Sequence, residues 1–102
     1  METKIHSMHF QANDQLKEFI HNKVHKLEHF NHKITACEVS LKLEKSDVDT
    51  NKLCEIKLFL PEVELFAKSQ CPTFEQACNE AVDAIQGQLR KHKTKEIKRT
   101  HH

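Results

Sequence analysis

Neither tryptophan nor tyrosine occurs in this 102-residue chain, glycine occurs once and proline twice. With one glycine there is no Gly-rich loop to cradle a phosphate, and that glycine, Gly87, falls inside a helical pattern. Without Trp or Tyr, and with most of the six Phe on core stripes, the chain lacks a platform on which bases of a single strand would stack. No apolar run approaches the ~18 residues that spanning a bilayer takes. The opening METKIHSMHF has no apolar signal-peptide core, so a cytoplasmic protein is expected. The four cysteines, Cys37, Cys54, Cys71 and Cys78, include no CxxC pair, and reduced, buried thiols are the expectation. Arginine is missing from the first 89 residues altogether.

That last gap belongs to a wider asymmetry. Residues 1–89 hold 10 Lys against 14 acids, a balance of −4, whereas residues 90–102 hold six basic residues against one acid, a balance of +5. The whole chain carries only +1. A cluster of this kind points to an anionic partner. With 37% hydrophobic and 30% charged residues, the remainder has the composition of one globular domain, here taken as residues 1–102 with a basic tail from about 94.

Periodicity predicts six elements. KIHSMHF (4–10) is short and extended, with Ile5, Met8 and Phe10 as its apolar residues. Asn13 or Asp14 can cap a helix, in which Leu16, Phe19, Ile20, Lys23, Val24, Leu27 and Phe30 recur at three- and four-residue steps and share one face. ITACEVSLKLE (34–44) alternates, with Thr35, Cys37, Val39, Leu41 and Leu43 on one side. After the polar KSDVDTN, a second alternating run sets Cys54, Ile56, Leu58 and Leu60 against Glu55, Lys57 and Phe59, so the two strands form a hairpin. VELFAKS (63–69) is a fourth strand. Thr73 and Gln76 have capping-box spacing, and Phe74, Ala77, Cys78, Ala81, Ile85, Gln88, Leu89 and His92 mark the inner face of a second helix. The order strand, helix, three strands, helix predicts an α+β fold. It is a β-α-β-β-β-α two-layer sandwich, with two helices on one face of a four-stranded sheet.

No pairing of nucleophile and base, and no pair of carboxylates placed for acid–base chemistry, appears in these elements, so an enzyme is not expected. His21, His25, His29 and His32 form a stripe nearly opposite the core face of the first helix. His pairs four apart can chelate a metal, but no acid or cysteine completes a tetrahedral set nearby in sequence, so a solvent-facing stripe is the simpler account. Lys23 lies within the apolar stripe and must snorkel, and Lys26 flanks the edge toward which it opens. Arg90 and Lys91, with Lys93, follow the last core residues. Two or three cations at a helix end complement its dipole; six, continuing through Lys95, Lys98 and Arg99 past the last regular turn, suit a phosphate backbone better. The partner expected is folded RNA, recognised by shape and phosphate.

DQLKEFIHNKVHKLEHF, EVSLKLEK, EIKLFLP, LFAKS and TFEQACNEAVDAIQGQLRKHKTK resemble the ribosome hibernation promoting factor family, which includes the ribosome-associated inhibitors of translation and was formerly labelled sigma-factor modulation protein. The likeness covers about residues 4–95. It implies the same fold, similar in layout to double-stranded-RNA-binding domains. It also implies a non-catalytic protein that binds the small ribosomal subunit and its rRNA in the mRNA/tRNA channel, competes with mRNA and tRNA, and stores idle ribosomes under stress or in stationary phase. No cofactor, membrane or small-molecule substrate is implied. By position, Lys23 and Lys26 match the family's contacts on the first helix, and Arg90, Lys91, His92 and Lys93 those on the second, with Lys95 continuing the run. The chain ends before the second domain of the long family form and so looks like the short form. Gly87 stands where family helices usually carry a long, often basic residue. A general structured-RNA-binding protein and a histidine-rich metal-binding domain are the alternatives.

Overall fold

The chain order is β1 (Glu2–Met8), α1 (Asp14–His25), a 3-10 turn (Lys26–His29), β2 (Ala36–Leu43), β3 (Lys52–Phe59), β4 (Glu64–Cys71) and α2 (Phe74–Thr100). The computed structural model describes residues 1–44 and 50–100, with side chains described as far as His92. The four strands form one sheet in the order β1-β2-β3-β4. β1 runs parallel to β2, with Ile5 opposite Val39, because α1 carries the chain back between them. The other two pairings are antiparallel, Val39 opposite Ile56 and Ile56 opposite Ala67.

Alternation makes one face of this sheet apolar. Cys37, Val39, Leu41, Cys54, Ile56 and Leu58 are all fully buried there. Ile20, Val24 and Leu27 from the first helical segment, and Ala77, Cys78, Ala81, Ile85 and Leu89 from α2, close over it. Val82 joins them at 8% exposure although the stripe pattern passed over it. Asn13 caps α1, its Oδ1 accepting from the Leu16 amide at 2.8 Å. Thr73 caps α2 by accepting from the Gln76 amide at 3.1 Å. Glu80 ties α2 to β4, its carboxylate accepting from the Ser69 hydroxyl and, at 3.2 Å, from the Cys71 thiol. Those bonds, Ser69 first, hold the Glu80 carboxyl below its ordinary range. At the far end Gln88 donates to the Phe66 carbonyl at 2.7 Å, meeting a backbone group of the edge strand.

Several boundaries depart from the sequence pattern. The first strand begins at Glu2 and stops at Met8, where His9 takes a left-handed φ of 71°. Phe10 therefore lies outside the strand, stacked on Phe74 with ring centroids 4.6 Å apart, and Met8 is 48% exposed. The α-helical turn of the first helix ends at His25 and tightens to a 3-10 turn, which rotates Phe30 off the core stripe to 36% exposure. β4 starts one residue later than the pattern and runs two residues further, to end at the buried Cys71. The second helix continues to Thr100, so the basic segment extends the helix instead of following it. No Gly or Pro after Gly87 interrupts it, and Lys, Arg and Glu are good helix formers.

Two ring contacts and one electrostatic interaction show how the helices lie. Phe10, just before α1, stacks on Phe74 at the start of α2. Lys23, midway, acts electrostatically on Cys78. Phe30, past the end, meets Arg90. These interactions advance along both segments together, so the helices run in the same direction. Their C-terminal ends share one end of the molecule with the β3–β4 turn.

The thiols are free and buried. Burial, with Cys78 and Glu38 acting the same way, pushes the Cys37 thiol up to about 12. A hydrogen bond to Cys78, followed by burial, pushes Cys54 up as well. An unfolded thiol ionises near ~8.5. The stability these thiols confer is therefore complete below that pH and is lost as pH rises through it toward about 12. Urea unfolding in reductant should show a midpoint that falls between pH 7 and 10, and a midpoint unchanged over that range would contradict this. Tyrosine, absent here, cannot confuse the measurement.

Gly87 has no left-handed φ, and a Cβ built on it would meet no atom within 4 Å. Nothing demands glycine there, and in a helix interior it costs roughly 0.5–1 kcal/mol against Ala. Gly87→Ala should raise the unfolding free energy by about that amount.

Candidate nucleic-acid interface

Parallel packing places the cations of two helices on one shoulder. Lys23 is half-buried, as its position in the apolar stripe requires, and its Nζ lies 5.5 Å from the centre of the Phe19 ring. The stem is covered and the ammonium rests on an aromatic face. It also reaches far enough toward α2 to help lower Cys78, after the larger effect of the Cys54 hydrogen bond. Lys26 is exposed one turn further on, at the start of the 3-10 segment.

On α2, Arg90 and Lys91 are exposed and His92 is half-buried. The Arg90 guanidinium carbon lies 5.9 Å from the centre of the Phe30 ring, which bridges the end of the first helical segment to α2. Lys93 and Lys95 stand on the α2 backbone, as do Lys98 and Arg99, and their side chains lie outside the described residues. His101 and His102 lie outside them too. The structure thus brings Lys26, Arg90, Lys91 and His92 to one end of the fold, with Lys23 about a turn behind.

Two contributors escape sequence reasoning. Phe30 reads as core by spacing but is a partly exposed ring beneath Arg90. Lys33 is exposed in the loop before β2, where its amide donates to Asn31 Oδ1 at 2.8 Å, and it lines a cleft with His92. No local pattern links residue 33 to residue 92; only the topology does.

The histidine stripe is exposed as its spacing implies. His25 and His29 meet edge to face at 6.3 Å, and His25 Nδ1 lies 3.8 Å from Glu28. Among the described residues no group of three or more His, Cys, Asp or Glu is arranged to hold a metal ion. No helix among them is long and apolar enough to cross a membrane.

A four-stranded sheet covered on one face by two parallel helices, whose basic ends converge, defines a small α+β module with one basic end. The sequence pattern of the sigma 54 modulation protein / S30EA ribosomal protein family matches residues 3–97. The chain belongs to that family, and membership makes it a non-catalytic, ribosome-associated factor of the hibernation type. A ribosomal subunit interface protein from Coxiella burnetii has the same fold, with a TM-score of 0.82 at 15% identity over 92% of this chain and 99% of that one. The N-terminal domain of Thermus thermophilus Protein Y does so with a TM-score of 0.78 at 18% identity, over 90% of this chain and 99% of that one. No curated protein matches the sequence.

The two lysines of the first helical segment should separate packing from charge. Lys23→Ala removes a packed stem and a cation–π contact and should cost roughly 0.5–1 kcal/mol in urea unfolding. Lys26→Ala should stay within about 0.5 kcal/mol of wild type.

Proposed function

We propose that this chain binds the small ribosomal subunit in the channel that otherwise holds mRNA and the A- and P-site tRNAs. There it would keep idle cytoplasmic ribosomes from initiating under stress or in stationary phase. The observation that carries the reading is the convergence of Lys26, Arg90, Lys91 and His92 at one end of a fold whose remaining surface is acid-rich. The Coxiella burnetii protein of the same fold is named for the ribosomal subunit interface, which supports the same partner.

The chemistry required is modest. Each cation set against a phosphate releases condensed counterions, and affinity then falls steeply with salt. Shape does the rest: α2, 27 residues and so about 40 Å long, presents its basic end as a rod that a groove in folded RNA can accept. Lys93 and Lys95 extend the same surface along the helix in this reading, and Lys23 guards its inner edge.

Sedimentation of the protein with purified small subunits through sucrose at two salt concentrations tests this. Saturable, roughly one-to-one cosedimentation is expected, with competition by tRNA and mRNA. The Arg90→Glu/Lys91→Glu/Lys93→Glu variant should lose at least roughly a hundredfold in affinity, with a salt slope shallower by about 3. Binding that tRNA and mRNA fail to displace would favour a general binder of structured RNA. A folded wild type that does not cosediment at either salt would sink the proposal.

A further inference from the structure

Where the β3–β4 turn meets α2 there is a cleft of about 290 Å³ lined by Lys33, Leu60, Pro61, Glu62 and His92. It is small, at the lower edge of the range for ligand sites, and its lining is mostly apolar. Its walls are preformed. Leu60 is 8% exposed, and its amide donates to the Val63 carbonyl at 2.9 Å, closing the turn on which Pro61 and Glu62 stand. Pro61 fixes its own φ, and the Asn31 side chain holds the backbone of Lys33. Leu60 and Pro61 supply an apolar wall, and the half-buried imidazole of His92 supplies a flat one.

The rim carries two opposite charges that do not meet. Among the described residues, neither the Lys33 ammonium nor the Glu62 carboxylate has an ion-pair partner. An apolar wall, an imidazole, a carboxylate and an ammonium in one lining together suit one kind of ligand. A planar ring suits the apolar wall and the imidazole, adjacent N–H donors on its edge suit the carboxylate, and an anionic group suits the lysine. Among the bases only guanine offers two neighbouring N–H donors, N1–H and N2–H, which match two carboxylate oxygens as a guanidinium does. Adenine and cytosine offer one amino group, and uracil one ring N–H.

We propose that this cleft holds the base of an unstacked guanosine nucleotide, with Glu62 accepting from N1–H and N2–H, and Lys33 facing the phosphate. His92 of the cleft follows Arg90 and Lys91 on α2, so the nucleotide comes from the RNA that this end of the protein binds. The source of the nucleotide, though not the cleft's chemistry, rests on the function proposed above.

Isotope-labelled full chain titrated with GMP, AMP, CMP, UMP and inorganic phosphate tests the cleft without any ribosome. GMP should shift the amides of Lys33, Leu60, Glu62 and His92 saturably and bind roughly tenfold more tightly than the other three nucleotides. Glu62→Gln should abolish the preference and leave the rest of the spectrum unchanged, whereas Lys33→Ala should weaken all four nucleotides and keep the order. Equal shifts from inorganic phosphate alone, equal affinity for all four nucleotides, or no response to GMP would each overturn the proposal. Glu62→Gln cosedimented with small subunits then identifies the source. A several-fold loss assigns the nucleotide to RNA, and unchanged binding assigns the cleft to a free guanine nucleotide. If wild type binds GMP selectively but not subunits, the ribosomal reading fails and the cleft stands. If it binds subunits but not GMP, the reverse holds.

Discussion

The apolar sheet face of Cys37, Val39, Leu41, Cys54, Ile56 and Leu58 has to be kept from water, and the rest of the molecule is arranged around that need. Burying side chains of this kind contributes ~1.5–3 kcal/mol for each larger one, so no other single term in the fold competes with it. The chain supplies two amphipathic helices to cover the face. With β1 parallel to β2 and the remaining strands alternating, both helices return in the same direction. Their C-terminal ends and the β3–β4 turn are thereby delivered to one end of the sandwich. The place where cations gather is therefore a consequence of covering the sheet, and the sequence needs only to put basic residues late in each helix.

Late in a helix is also where cations are tolerated best, since each complements the negative end of the dipole. Two helix ends brought to the same side would otherwise present partial negative charge together. Lys26 near one end and the run from Arg90 onward near the other offset it. The acid-rich body then gives the protein a lopsided field. In a polyanionic environment such a field orients the approach, basic end first, before any contact forms.

The architecture was legible in the sequence because two unambiguous periods carried it: the strict alternation of residues 36–43 and 52–59, and the three- and four-residue steps of Leu16–Leu27 and Ala77–Leu89. Charge, too, is readable without coordinates, and Arg90, Lys91 and His92 stand where the helix pattern puts them. What escaped is what depends on geometry at the ends of elements. A 3-10 turn after His25 changes the angular step, and so Phe30 leaves the stripe to which its spacing assigned it. His9 in a left-handed conformation stops the first strand short of Phe10, whose apolar surface is then satisfied by stacking on Phe74. No local pattern ties Lys33, Pro61 or Glu62 to His92. They become neighbours of His92 only because a crossover and a hairpin end on the same side.

Function and stability are largely separable in this design. Among the described residues the last buried one of α2 is Leu89, and the side chains of Arg90, Lys91 and His92 that follow it are exposed or half-buried. Arg90 and Lys91 thus sit one step past the core, where charge can be varied without opening a cavity or stranding a buried partner. Lys23 is the exception. Its stem lies in the stripe, its ammonium rests on Phe19, and its charge acts on the Cys78 thiol of α2. A change there couples to the packing of α1 on α2 and so to the spacing of the two basic ends. In the proposed binding to folded RNA, that spacing would matter as much as the number of charges. In the proposed function the half-buried lysine would therefore act through the geometry it holds, and the exposed cations of α2 through their charge.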